Sequence, residues 1–167
     1  MTNKPFLSRY SGESIDALLD MEVRYRIDSL VVTMEEALTR KRMRLGDRAL
    51  SDEELVVLSV EALEREVNNG GFNQFFFNPS NEFAPRVVAD LRRIDCEEIA
   101  RITEQAIDAL ELPEFNPVAI RNRAAESDDR LDEALEDLDS AYYAQAEDIA
   151  GKLFVFVKLN KDKFSIL

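Results

Sequence analysis

Apolar residues recur at three- and four-residue steps through most of this chain, the spacing of one face of an α-helix. The first series runs Ile15, Leu18, Leu19, Val23, Ile27, Leu30, Val31, Met34 and Leu38. Ser14 stands where an N-cap belongs. Arg40-Lys41-Arg42-Met43-Arg44 places cations at the helix C-terminus, where the backbone dipole favours them, and Gly46 then stops the run. One long kinked helix, or two helices meeting near Arg26, satisfies this pattern. Ser51-Asp52-Glu53-Glu54 predicts a capping box that opens a helix with Leu55, Leu58, Ala62, Leu63 and Val67 inward. Asn69-Gly70 ends it, because both residues tolerate left-handed backbone.

The spacing predicts a short helix from Phe72 to Phe77, closed by Asn78-Pro79-Ser80, and another from about Ala84 to Arg93. Asp95 and Glu98 form a second capping-box-like pair, opening a helix through about Leu110. Asn116-Pro117 reads as an N-cap with proline in the first turn of a helix over residues 117–126. The last helical region starts near Ser127, with Leu131, Leu135, Leu138, Tyr142, Ile149, Leu153 and Phe156 inward. It is one long helix, or two with a break near Asp139-Ser140. Leu153-Phe154-Val155-Phe156-Val157 is β-branched and aromatic, but no second strand offers it a partner, so it too is expected to be helical. The expectation is an all-α fold: a tail over residues 1–10, then a single domain over residues 11–167 of about seven to nine helices.

One segment departs from this regular pattern. Two adjacent glycines, Gly70 and Gly71, are followed within six residues by four of the ten phenylalanines, with Asn and Gln among the rings. Phe72, Phe75 and Phe76 share a helix face and Phe77 lies off it. As a structural corner, the rings fill the core while Asn68, Asn69 and Gln74 bond freed backbone groups. As a functional one, Asn69, Gln74 and Asn78 line a pocket or contact face beside Glu66.

The composition narrows the chemistry. The chain has 167 residues, no His and one Cys. That excludes Ser-His-Asp and Cys-His catalysis, imidazole metal sites and an internal disulfide. The five glycines fit neither a phosphate loop nor a dinucleotide fingerprint. The N-terminus has no apolar core of signal-peptide length and no apolar run is long enough to span a bilayer, so a cytoplasmic protein is expected.

The net charge is −13, and residues 95–148 alone carry 17 acids against 4 bases. Such a field repels nucleic acid and anionic membranes and attracts basic partners. Within it, Asp129, Asp132, Glu133, Glu136 and Asp137 repeat at helical steps away from the Leu131-Leu135-Leu138 stripe. Two carboxylates per turn of about 5.4 Å give one charge per roughly 2.7 Å, against one per about 1.7 Å in duplex DNA. Glu97, Glu104, Asp108 and Glu111 offer a candidate second row. The like-charge pairs Asp129–Glu133, Asp132–Glu136 and Glu133–Asp137 each oppose the helix by about 0.2–0.5 kcal/mol, and Asp128–Asp132 adds to them. The row is either a solubilising surface or one that binds a basic protein.

Two other patterns compete with it. Glu61-x-x-Glu64 and Glu136-x-x-Asp139 are similar to the carboxylate pairs with which all-α pyrophosphohydrolases hold Mg²⁺, though those pairs lie much closer in sequence. Arg40, Lys41, Arg42, Arg44 and Arg48 form a basic cluster. Its alternatives are a nucleic-acid patch, or pairing with the protein's own acids or with a second subunit's acidic face.

The capping-box helix running into Glu66, Asn68, Asn69, Gly70, Gly71, Phe72, Gln74, Phe75, Phe76 and Asn78, followed by Ala84-Pro85 and a helix, resembles a family of small acidic all-helical proteins, a domain family of unknown function. That family includes a DNA mimic that inhibits a DNA-binding transcription factor. The match spans roughly Leu50 to Arg93. The resemblance implies an all-α fold, no cofactor and a protein partner. Together with the acidic row, it leads to the expectation of a non-enzymatic interaction module whose partner is a basic, DNA-binding protein, with no metal and no direct contact to nucleic acid or membrane. A homodimer is compatible with this reading. The alternative is a small-ligand or metal-dependent hydrolytic site near the Asn-Gly-Gly-Phe corner.

Overall fold

Local side-chain caps set the starts of five helices. The computed structural model describes residues 4–126 and 128–166; among them are eight α-helices, joined by loops and short 3-10 turns, and no strand. The expected start of the last helical region near Ser127 lies outside the described residues. The chain divides into two units, one of residues 1–58 with 148–167 and one of residues 59–147.

In the first unit, α1 spans Ile15–Asp20 and α2 spans Ile27–Leu45. Ser14 Oγ accepts the Ala17 N–H at 3.2 Å, as an N-cap does. Of the two readings of the first apolar series, the structure takes the one with two helices: Arg26 is extended (φ −69°, ψ 138°) and its N–H donates to Pro5 O at 3.0 Å. Gly46, at φ +83°, ends α2. The capping box forms as predicted. Glu54 N–H donates to Ser51 Oγ at 3.1 Å, and Ser51 N–H to Glu54 Oε2 at 2.9 Å.

The helix it opens, α3, spans Asp52–Phe77. Leu58, Ala62, Leu63 and Val67 face inward as expected, but Leu55 is only half-buried, and every residue from Val56 to Leu63 is buried. The helix is enclosed all round there, so a one-face periodicity undercounts its contacts.

The last helix, α8, spans Ile149–Leu159 and packs on α2. It begins at Asp148, whose Oδ1 accepts the Gly151 N–H at 2.9 Å. The segment 153–157 is therefore helical, as expected. Its buried side is Ile149, Leu153, Phe154 and Val157; Phe156, expected inward, is half-buried.

In the second unit, α4 (Ala84–Arg93) and α7 (Asp129–Ala144) both pack against α5 (Glu97–Ala109), and α6 (Pro117–Ala124) packs on the turn over Pro79–Phe83. Asn116 Oδ1 accepts the Ala119 N–H at 3.0 Å, so the predicted cap of α6 is present. The predicted capping box at Asp95 and Glu98 is not. Asp95 sits at φ +60°, Cys96 is the N-cap residue, and Glu147 reaches from beyond α7 to accept the Ile99 N–H at 2.9 Å. Glu98 instead pairs with Arg101 at 2.6 Å.

The helix break expected near Asp139-Ser140 falls later. Helix α7 continues to Ala144, and Gln145 is extended (φ −73°, ψ 155°). Asp139 does not compete for its own backbone, because its carboxylate is engaged elsewhere, at Phe72 N.

Phe72, Phe75 and Phe76 are fully buried, whereas Phe77 is 50% exposed, as their spacing predicts. Thr103 on α5 is fully buried and its hydroxyl has no hydrogen-bond partner among the described residues. An orphaned hydroxyl costs more than an isosteric methyl. Thr103→Val is expected to raise stability by about 1 kcal/mol, read as a higher midpoint in urea denaturation followed by circular dichroism.

Candidate functional site

The glycine pair interrupts α3 with two non-helical residues, Gly70 (φ −163°, ψ 25°) and Gly71 (φ +75°, ψ −177°). Each makes room for a side chain. A Cβ on Gly70 would lie 2.1 Å from Gln74 Oε1, and one on Gly71 would lie 2.1 Å from Asp139 Oδ2. The positive φ of Gly71 is itself unfavourable for any residue with a Cβ.

Helix α7 completes the break. Asp139 Oδ1 accepts the Phe72 N–H at 2.7 Å, capping the half-helix that starts there. Tyr143 Oη donates to Val67 O at 2.5 Å, in the last turn before the break. Tyr142 Oη donates to Glu64, and its ring meets Phe72 edge-on at 5.7 Å and 88°. Burial pushes the Glu64 carboxyl above its usual range, against the hydrogen bonds of Tyr142 and Asn68. Burial also raises Asp139, against the Phe72 N–H, with the charge of Glu136 adding to the rise.

Asn68, expected to bond freed backbone, instead donates to Glu64 O at 2.8 Å, within the regular helix before the break. Gln74 does not bond freed backbone either. Gln74, Asn78 and Ser80 all donate to the Glu66 carboxylate, at 2.8, 2.8 and 2.7 Å. Burial acts to raise Glu66, but these three donors outweigh it and hold the carboxyl below its usual range. Asn69 is exposed. The side chains imagined as pocket donors thus close an internal ring, and a ligand at the corner would have to break it.

Alanine at either glycine should separate their roles. Gly71→Ala is expected to cost about 2–4 kcal/mol, the sum of a strained φ and a lost helix cap. Gly70→Ala should cost less, since the flexible end of Gln74 can swing away. Thermal melts of both variants check this order, and equal losses would contradict it.

The acidic row lies on the outer face of α7. Asp129, Asp132, Glu133, Glu136 and Asp137 are all exposed, and none pairs with a cation among the described residues. Leu131, Leu135 and Tyr142 occupy the buried side. Asp128, at the N-cap, is held below its usual range by Arg123, 2.6 Å away. The second row is less free. Arg92 stands 3.7 Å from Glu97 and 2.8 Å from Glu104, and Arg130 takes Glu111 at 3.2 Å.

Charge divides sharply between the units. Residues 59–147 hold 21 acids against 8 bases, the whole net charge of −13, while residues 1–58 and 148–167 hold 13 of each. The basic cluster belongs to the neutral unit and is largely paired with neighbouring acids. Arg40 bonds Glu36, Lys41 bonds Glu54 at 2.7 Å, and Arg42 bonds Asp47 at 2.6 Å.

Among the described residues no group of three or more His, Cys, Asp or Glu could hold a metal ion. Glu64 and Asp139, two of the four carboxylates in the pyrophosphohydrolase-like pattern, bond Tyr142 and Phe72 N instead. No helix among the described residues is long and apolar enough to cross a membrane.

The side chains from α7 that close the glycine break lie 67 to 78 residues from their partners. Nothing in local spacing announces such contacts. The one available signal was Gly71 itself, whose conformation needs a donor or acceptor brought from elsewhere.

No curated protein matches the chain significantly. The family model described as "DMP19-like protein" matches residues 48–160, which contain the capping box, the glycine break with its phenylalanines, and the acidic helix α7 that closes it. A match over that much of the chain, with this corner inside it, shows that the protein belongs to the DMP19-like family.

Proposed function

We propose that the protein is a DNA mimic without enzymatic activity, whose unit of residues 59–147 binds a basic, DNA-binding protein and competes with nucleic acid for it. The observation that carries this reading is the confinement of all net charge to that unit, together with five exposed carboxylates on α7 that form no ion pair among the described residues. A surface meant only for solvation gains by interleaving lysine, because like charges four residues apart oppose the helix. Here the repulsion is retained over more than two turns. The resemblance of the corner to a family that includes a DNA mimic supports the same reading. Charge complementarity of this kind speeds association and makes it sensitive to salt.

The test is capture from the native host's lysate on the immobilised full chain, followed by elution with duplex DNA and, in parallel, with a salt gradient. Release of a basic DNA-binding protein by both is the expected result. Partners that resist salt and ignore duplex DNA would overturn the proposal.

A further inference from the structure

The elements around the glycine break share their hydrogen bonds in an unusual way. One turn of α7 supplies Asp139, Tyr142 and Tyr143, and each closes a different part of the break in α3. Asp139 caps the half-helix beginning at Phe72, Tyr143 takes the Val67 carbonyl, and Tyr142 bonds Glu64 one turn before it. If α7 lifts, the Phe72 N–H and the Val67 carbonyl lose their bonds to it together. The break has little local means of its own to satisfy them, because Gln74 and Asn78 are committed to Glu66. The break and α7 should therefore open as one cooperative unit.

The titratable groups at this contact are all acids or weak acids. Glu64 faces Tyr142 of α7. Tyr142 also feels Glu61 of α3 and Cys96 at the start of α5, and Asp139 feels Glu136 one turn before it. No lysine or arginine is among the groups that shift Glu64 or Asp139. Ionising either carboxyl here thus places a charge in a partly dry site with no counter-charge.

From this arrangement we infer that the Gly70–Gly71 break is a joint latched shut by α7, and that protonation of Glu64 and Asp139 tightens the latch. Its sign follows from linkage. Both carboxyls hold their protons more firmly in the closed state than in the open one. The closed state gains from this fully below the ordinary carboxylate range and loses the gain as pH rises through the folded-state values. The latch stands on geometry alone. Its consequence for function, that it governs how firmly the acidic row of α7 is presented, rests on the proposed DNA mimicry.

Amide hydrogen exchange on the full chain, corrected for the intrinsic pH dependence of exchange and followed from about pH 4, in the ordinary carboxylate range, to about pH 8, tests the latch. Protection over residues 72–77 and 129–144 is expected to fall together as pH rises, by up to about tenfold per pH unit for each carboxyl. Glu64→Gln should make that fall shallower. Tyr142→Phe should lower protection in both segments at every pH and leave α2 unchanged. Independent responses of the two segments, or an unchanged pH slope in Glu64→Gln, would overturn the inference. The two proposals fail separately: a working latch with no partner displaced by duplex DNA sinks mimicry alone, and a displaced partner with pH-independent exchange sinks the latch alone.

Discussion

Replacing Asp129, Asp132, Glu133, Glu136 and Asp137 together with Asn or Gln is expected to weaken binding of the captured partner while making the protein more stable. Each exposed ion pair lost across an interface is worth up to about three- to fivefold in affinity, so five should cost about 200- to 3,000-fold. The salt dependence of the remaining affinity should flatten, because fewer charges are left to screen. Stability should move the other way. Three like-charge pairs within α7, Asp129–Glu133, Asp132–Glu136 and Glu133–Asp137, are relieved at about 0.2–0.5 kcal/mol each. Part of that gain is returned, since Asp129 and Asp132 lie in the first turn of α7, where the helix dipole favours acids. The net expectation is a slightly raised melting temperature with strongly reduced binding. Opposite movements of this kind mark residues kept for function at some expense of stability. Titration calorimetry at two salt concentrations and a thermal melt measure both. Unchanged affinity would remove α7 from the site, and a lowered melting temperature would mean the row has a structural role.

The parts of this fold legible in the sequence are those governed by chemistry within one helical turn. Ser14, Ser51 with Glu54, and Asn116 all cap where their spacing says they should, because a capping side chain reaches only two or three residues along the chain. The Phe72-Phe75-Phe76 face follows from helical periodicity for the same reason. What was misread depends on groups distant in sequence. Glu147 replaces the predicted cap of α5 from 48 residues away. Asp139 looked like a helix breaker because the residue it caps, Phe72, lies 67 residues back. In α8 a small rotation about the helix axis exchanges Phe156 for Phe154 and Val157 at the buried surface, which period alone does not determine. For the candidate site, the density of acids on α7 was visible from composition. That Arg92 and Arg130 pair with the second row while the five acids of the α7 row stay unpaired is a property of packing.

Glu54→Ala is expected to destabilise the protein more than alanine at Gly70 or Gly71, because the carboxylate is a junction and not a simple pair. Glu54 is fully buried. It accepts from Lys41 Nζ at 2.7 and 2.8 Å, from Ser51 N–H at 2.9 Å and from Ser165 N–H at 2.8 Å. It therefore ties α2, the start of α3 and the C-terminal segment of the neutral unit to one point. Lys41 is itself buried, at 6% exposure. Removing one partner of a buried ion pair leaves an uncompensated charge in a dry site, a loss of about 3–5 kcal/mol. That is a large fraction of the total stability of an ordinary domain. Two comparisons isolate the cause. Glu54→Gln keeps the shape and two acceptor lone pairs but not the charge, so it should recover only part of the loss. Lys41→Met combined with Glu54→Leu removes both charges and should lose much less than Glu54→Ala alone, since well-packed apolar pairs commonly replace buried ion pairs without penalty. With no tryptophan in the chain, helix ellipticity in urea is the suitable readout. Faster amide exchange at residues 164–166, where Phe164 and Ile166 are buried, should accompany the loss in Glu54→Ala. A loss under about 1 kcal/mol, the scale of an exposed pair, would mean that water reaches Lys41 and that the junction does not hold the C-terminal segment in place.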